Sequence, residues 1–514
     1  MAKESRVKKT LLNARVNLIF YFLTLALSFF SRKIFLNTLG ADFVGLTGTL
    51  TNLLSFLNLA ELGIGAAIGY VLYKPLFEQN QTKINEIISV FGYLYNWVGK
   101  IILIAGCILS LFIPVIFPNT GFGLTVIYLA YYSFLTSSLI GYFINYRQTL
   151  LGADQKNYVV TVYFQTGNIL KTLIQMASAY YTGSYYIWIA IEFIFGIIYS
   201  FILNWKINQV YPWLKSDIKN GKLLHKKYPE VMKYTKQLFI HKLGGIVQFQ
   251  LTPILIYAFV SLQAVTYYGN YVLITDKIKQ IIANTLSGSN ASVGNLIAEQ
   301  NKKKIIGIYW ELFSIRIFFI GISIFLLYNC IPTFIELWLG KQFLLPNTTL
   351  ILLLTIFGLN IIRGTTDEFI NGFGLFSDVY SPIVETFIFV IFSLVGGYYW
   401  GLNGLLSSNI ISTIIIIYGW KPYFLFKNGF KEPLWKYWII VFKYIFCTII
   451  SYATTSITFE FIPLNLNIDS QWIKFILSSI YLTLIISFTH FIILYLSIHE
   501  MRNFTKRILT YISK

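Results

Sequence analysis

The 514 residues are 56% hydrophobic and only 12% charged, against about 25% charged in an ordinary soluble domain, so the chain suits a lipid solvent rather than water. A net charge of +19 would fit a nucleic-acid partner if it formed a patch, but the cations are scattered among short connections, which excludes that class. Cys107, Cys330 and Cys447 all lie in apolar stretches, with neither a secreted disulfide framework nor a metal-ligand spacing, and no cofactor is expected.

In chain order, Lys3, Arg6, Lys8 and Lys9 precede an apolar run from Val16 to Ser31. This imitates a signal peptide, but without a small-residue cleavage site it reads as a first, retained membrane helix. About 20 apolar residues cross a bilayer. On that measure the Gly, Pro, Asn and charge punctuation predicts spans at 13–36, 44–73, 85–117, 123–147, 158–182, 184–205 and 237–261, then at 266–298, 305–333, 346–370, 377–399, 402–423, 434–457 and 472–498. The expected fold is therefore all-α and polytopic, with about fourteen transmembrane helices. Ile101–Tyr146, Leu243–Thr275 and Thr386–Trp420 contain no Asp, Glu, Lys, Arg or His. Each is too long for one crossing and reads as a hairpin, the first broken at Pro118-Asn119-Thr120-Gly121 and the last at Gly401-Leu402-Asn403-Gly404. Helices fit these runs better than barrel strands, because the runs lack alternation and a helix pairs every backbone amide within itself.

The connections on one side collect the basic residues: Lys74 and Lys83, Arg147 and Lys156, Lys302 to Lys304, Lys421, Lys427 and Lys431. The richest is the segment from Lys206 to Lys236, and the C-terminal tail adds Arg502, Lys506, Arg507 and Lys514. The other side has only Arg32, Lys33, Lys341 and Lys474, so the Lys/Arg bias places both termini in the cytoplasm.

Glu61-to-Gly69 and Leu286-to-Gly294 form a weak repeat, with Gly63, Ala66 and Gly69 matching Gly288, Ala291 and Gly294. The offset encloses an even number of helices, so both copies share one orientation, as in parallel transporter repeats. Small residues that merely let helices approach closely give the same pattern. The repeat predicts a first six-helix bundle over 1–208, a basic cytoplasmic loop over 209–236, and a second bundle over 237–428. Two further helices and a cytoplasmic tail fill 429–514.

Four segments carry a family resemblance: Arg32 to Leu46 with Ala60-Glu61-Leu62-Gly63-Ile64-Gly65, Leu72 to Leu76, Arg147 to Asn157, and Gly401-Leu402-Asn403-Gly404 through to Tyr423. In these the chain resembles the O-antigen and capsule flippase family of the multidrug, oligosaccharidyl-lipid and polysaccharide exporter superfamily. The resemblance implies two six-helix bundles forming a V around a central cavity, in the bacterial cytoplasmic membrane. It implies a non-enzymatic flippase whose cargo is an undecaprenyl-diphosphate-linked oligosaccharide, with a polysaccharide polymerase as a candidate partner besides membrane lipids.

A charged residue at mid-bilayer costs about 2.5–3.5 kcal/mol on insertion scales, so it usually faces a bundle interior or a wet cavity. Lys100, Lys277, Lys279, Arg316 and Arg32 are candidates to line a cationic cavity for the diphosphate, the Arg residues as bidentate forks and the Lys residues as point charges. Internal pairing is the competing reading: Asp276 and Lys279 share a helical face, Glu311 lies near Arg316, and Arg32 with Lys33 can anchor at an interface. Asp276, Glu61 and Glu385 are candidates for a coupling H+ or Na+ site. Among rivals, a polymerase would show a large outer loop and a glycosyltransferase a catalytic domain or acidic metal motif, and neither is present. A cation-coupled drug exporter and a lipid II flippase remain open within the superfamily.

Overall fold

In a computed structural model of the chain, residues 6–512 are described apart from 62–63, 119, 155, 287–292, 294–295, 298, 376–377, 379 and 462–467. Among the described residues all regular structure is helical. The first helices are α1 (Arg6–Thr38), α2 (Gly40–Leu57), α3 (Ile64–Phe77), α4 (Gln81–Leu111), α5 (Leu124–Phe143), α6 (Asn157–Thr182), α7 (Tyr185–Val210) and the short α8 (Ile218–Leu224). They are followed by α9 (Pro229–Phe259), α10 (Leu262–Leu286), α11 (Lys302–Trp338), α12 (Asn347–Gly372) and α13 (Ser381–Thr413), which runs on to Phe430. α14 (Trp435–Phe461), α15 (Gln471–Ser497) and α16 (His499–Ile512) complete the chain. This is an all-α polytopic membrane protein.

Nine of the described helical segments are long and apolar enough to span a bilayer on their own. One of them, Ser381–Phe430, is two passes in one, because Gly401 breaks it with φ +53°. The α2–α3 pair, α6, α9 and α10 bring the set to the fourteen expected. These four carry more polar residues, among them Lys171 and Gln175 on α6, Gln248 and Thr252 on α9, and Asn270 and Asp276 on α10. Large apolar side chains such as Leu111, Phe387, Phe442 and Phe488 are exposed, which in water would be an aggregation liability and in lipid is a solvated face.

The breaks follow the punctuation with one correction. Gly121, at φ +73°, turns the chain between α4 and α5, while Asn119 of that tetrapeptide lies outside the described residues. The stretch 44–73, read as one helix, is divided. α2 ends at Leu57, a 3₁₀ turn spans Asn58–Glu61, and α3 starts at Ile64. The polar pair Asn58 and Glu61 finds partners on α4 and α5 instead of continuing the helix. Gly63, Gly288, Ala291 and Gly294 of the repeat lie outside the described residues, as does the side chain of Ala66.

Two compact units result, 1–266 and 267–514. Lipid tails are as apolar as leucine, so helix association rests on close packing and interhelical hydrogen bonds, and each unit shows both. In the first, Gly92, Gly99 and Gly106 line one face of α4, where any added Cβ would press on Tyr146, Phe143 and Leu135 respectively. Tyr131 of α5 donates to the Gly106 carbonyl at 2.6 Å. α9 packs along α2 and α3 within this unit. The basic segment after α7 folds α8 onto α4, with Lys227 paired to Glu86 at 2.7 Å. In the second unit, Tyr309, Trp310 and Phe313 of α11 pack with Phe369, Phe430 and Tyr437 into an aromatic core. At the hairpin turn the backbones of Gly396 and Gly404 touch, and Asn403 accepts a hydrogen bond from Thr349 at 2.7 Å.

Candidate functional site

In the second unit α10, α11 and α12 enclose a cavity of ≈370 Å³ whose wall includes Lys279, Arg316, Asn360, Asp367, Glu368 and Asn371. Arg316 is only 6% exposed. Its Nη2 donates to Glu368 Oε1 at 2.5 Å and its Nε to Thr365 Oγ1 at 2.7 Å. The guanidinium lies flat against Gly364, where a Cβ would stand 3.0 Å from Nη1. Three contiguous features of α12, a glycine, a hydroxyl and a carboxylate one turn on, therefore make the seat for one arginine. The partner read from the sequence, Glu311, is engaged elsewhere: it is buried and pairs with Arg507 of α16 at 2.7 Å.

Asp367 is held from two sides, by Arg363 Nε at 3.1 Å and Lys421 Nζ at 2.7 Å. Lys421 reaches it from the helix after Gly401, between two π-helical stretches at Ile414–Trp420 and Phe426–Phe430. Such widened turns recur at functional sites. Glu385, buried on α13, adds its negative charge to the surroundings of Arg363. The cavity wall is thus charge-balanced rather than purely cationic. Within it Lys279 stands apart: among the described residues it makes no ion pair or side-chain hydrogen bond, while Asp276 attracts and Arg363 repels its ammonium. Lys277 and Asp276 are half-buried on α10 and do not line the cavity.

The remaining candidates belong to the first unit. Glu61, at the break between α2 and α3, accepts hydrogen bonds from Tyr95 of α4 and, at 2.7 Å, from Tyr142 of α5. Asn58 accepts from Ser138 and Tyr142, each at 3.1 Å. The carboxylate is held by phenols, with no ion pair among the described residues. Arg32 donates through Nη2 to the Thr266 carbonyl at 3.0 Å. Lys100 is exposed, with Nζ 5.6 Å from the Trp97 ring centre.

Of the predicted residues, Lys279 and Arg316 meet at one cavity and Glu385 joins its outer charge network. Arg363, Asp367 and Glu368, toward the end of the span 346–370, were not singled out, and Lys421 was counted only among the basic residues of a connection. The spacing of Arg363, Asp367 and Glu368 over little more than one turn of α12 was the available signal. Lys171 and Glu192, paired at 2.8 Å between α6 and α7 with Gln175 also donating to Glu192, were equally legible as lone opposite charges in consecutive spans.

No protein-family model and no curated protein matches the sequence. Solved structures do match. A lipid II flippase MurJ in an inward closed conformation aligns with TM-score 0.62 and 15% identity, covering 93% of this chain and 98% of that one. A multidrug resistance MATE family transporter of the MOP superfamily, inward-facing, aligns with TM-score 0.57 and 13% identity over 81% and 99%. A MOP superfamily transporter from Pyrococcus furiosus gives TM-score 0.53 and 13% identity over 82% and 96%. The fold is that of the MOP superfamily transporters. At these identities the MOP likeness extends to architecture, and the residues described above carry any argument about cargo.

Proposed function

We propose that the chain is a MOP-fold flippase of the bacterial cytoplasmic membrane, with both termini cytoplasmic, that carries an undecaprenyl-diphosphate-linked oligosaccharide to the outer leaflet by alternating access between its two units. The observation that carries this reading is Lys279, an intramembrane ammonium on a cavity wall with no ion-pair partner among the described residues. A half-buried ammonium that Asp276 attracts without closing an ion pair is open to a further anion, and a diphosphate supplies one. Arg316 adds a guanidinium that can fork onto phosphate oxygens if Glu368 releases it. Lys100, Lys277 and Arg32 are assigned to the path of the anionic headgroup. Glu61 is assigned to H+ or Na+ coupling, because a carboxylate held by hydroxyls takes up either cation without first breaking an ion pair; Asp276 and Glu385, which lie among cationic side chains, are assigned to it as secondary carboxylates. A polysaccharide polymerase is the partner that would consume the product.

A lipid II flippase is the second reading. It is favoured by the longer overlap with the solved flippase of that cargo, 93% of this chain against 81% for the MATE transporter. Both readings predict an anionic polyprenyl cargo, and lipid extraction separates them. In a gene-deletion host, accumulation of an undecaprenyl-diphosphate repeat unit with loss of surface glycan supports the first, and accumulation of lipid II supports the second. Rescue by wild type but not by Lys279→Ala, at equal membrane abundance, ties the transport to this cavity. Unchanged lipid intermediates with raised drug sensitivity would replace both readings with drug export.

A further inference from the structure

A second cavity, ≈610 Å³, opens in the unit 267–514, within the roughly 300–1,000 Å³ of ligand pockets. It meets α11 only over its final stretch, from Phe325 to Leu337, and α14 only from Ser456 to Glu460. From α15 it takes the opening residues, Gln471 to Leu482. All three place it at the end of the unit opposite the cluster of Lys302, Glu432 and Lys436, which lies where α11 and α14 begin.

Its rim marks a bilayer surface independently of charge counting. Trp472, which is exposed, stands beside it with its ring 6.0 Å from that of Phe334, and exposed tryptophans gather at headgroup level. From Glu336 at the rim to Phe325 at the floor, α11 descends eleven residues, about 16 Å at 1.5 Å per residue. That is roughly half of a 30 Å hydrocarbon core, the depth of one leaflet. Polarity falls on the way down, with Glu460 and Lys474 at the top, Asn329, Thr333 and Ser478 below them, and Phe325 with Leu482 at the bottom. Glu336 is already paired with Lys341 at 3.5 Å. Among the described residues, Glu460 and Lys474 form no ion pair, so the rim offers one carboxylate and one ammonium to a ligand.

We propose that this cavity holds a single phospholipid with a zwitterionic phosphoethanolamine-type headgroup, drawn from the leaflet at that end. The phosphate meets Lys474 and the headgroup ammonium meets Glu460. The glycerol ester oxygens take the hydroxyl and amide donors of the middle tier, and one acyl chain covers Phe325 and Leu482. A headgroup that is only anionic leaves Glu460 facing negative charge, and this selects against it. The site is separate from the Lys279 cavity and does not depend on the cargo assigned there.

The test is native mass spectrometry of the full-length chain in micelles, titrated with equimolar phosphatidylethanolamine and phosphatidylglycerol of matched chains. Phosphatidylethanolamine adducts are expected in severalfold excess, falling to parity in Glu460→Gln with Lys474→Ala and disappearing in Ser478→Phe, which fills the middle tier. The rim pair is exposed, so its double variant keeps the test sharp should the filled cavity prevent folding. Equal binding of the two lipids to wild type, or undiminished binding in a folded Ser478→Phe chain, would overturn the assignment. So would displacement of phosphatidylethanolamine from the wild type by undecaprenyl diphosphate, which would make the cavity a cargo site.

Discussion

Arg316 shows how one residue can be read correctly as unusual and incompletely as to its role. Its side chain and that of Glu368 are 7% and 10% exposed, so each is the other's main compensation for leaving water. Removing one partner of such a pair leaves an uncompensated charge and costs about 3–5 kcal/mol, whereas replacing both by apolar residues of similar size is often near neutral. Arg316→Ala and Glu368→Ala are therefore each expected to lower thermal stability in detergent strongly, while Arg316→Met with Glu368→Leu recovers most of it. If the single substitutions leave stability unchanged, the pair is not what holds α11 to α12. Lys279→Ala removes a cation with no such partner, and is expected to leave stability undiminished or raised while abolishing rescue of the deletion host. Intramembrane charge was visible in the sequence at Arg316 and Lys279, but the identity of the partner was not. A buried arginine chooses its carboxylate by the geometry of a neighbouring helix, here α12, some fifty residues away.

At the scale of helices, glycine decides where the chain turns and where two backbones meet. Gly404 sits against the Gly396 carbonyl across the hairpin, leaving no room for a Cβ, whereas nothing lies within 4 Å of the position a Cβ would take at Gly48. Gly404→Ala is expected to lose about 1–3 kcal/mol through overpacking. Gly48→Ala on α2 should be neutral or gain up to about 1 kcal/mol of helix propensity, and comparing the two melting temperatures separates contact from conformation. The hairpin break at Gly401 was legible because a Gly-Leu-Asn-Gly cluster interrupts an uncharged run. The break after Leu57 was not, because it is stabilised by Tyr95, Ser138 and Tyr142, which are remote in sequence. Outside the membrane spans, Glu432 ties the start of α11 to that of α14 by accepting from Lys302 at 2.8 Å and Lys436 at 2.6 Å. Those ammonium groups hold its carboxyl down to about 2. A depressed carboxylate contributes stability that is complete above its ordinary pKa and lost as the pH falls through the lowered one. The melting-temperature gap between wild type and Glu432→Gln should accordingly be constant from pH 8 to 5 and close between pH 4.5 and 2. A gap that instead changed across neutral pH would point to a different titrating group.

For the whole molecule, lipid as solvent made the count of passes readable: about 20 apolar residues define a crossing, and every crossing had to close its own backbone hydrogen bonds. The arrangement of those helices into units 1–266 and 267–514 was less readable. The basic segment around Lys222 looked like a boundary, yet α8 folds onto α4 and α9 packs on α2 and α3. Charge alone marks which side of the membrane a connection lies on and says little about which helices it joins in space. Orientation is therefore the property that the Lys/Arg bias predicts most directly, and it is open to a labelling test. In a chain with Cys107, Cys330 and Cys447 replaced by alanine, single cysteines at Lys222 and Lys506 are expected to resist a membrane-impermeant maleimide on intact cells and to react once the cells are opened. Cysteines at Lys341 and Asn347 should react in both. The four positions bracket α9 to α15, so the pattern also counts passes. A Lys222 cysteine that reacted on intact cells together with the Lys341 cysteine would make the number of crossings between them even, and would show that one of the more polar helices, α9 or α10, does not cross the membrane.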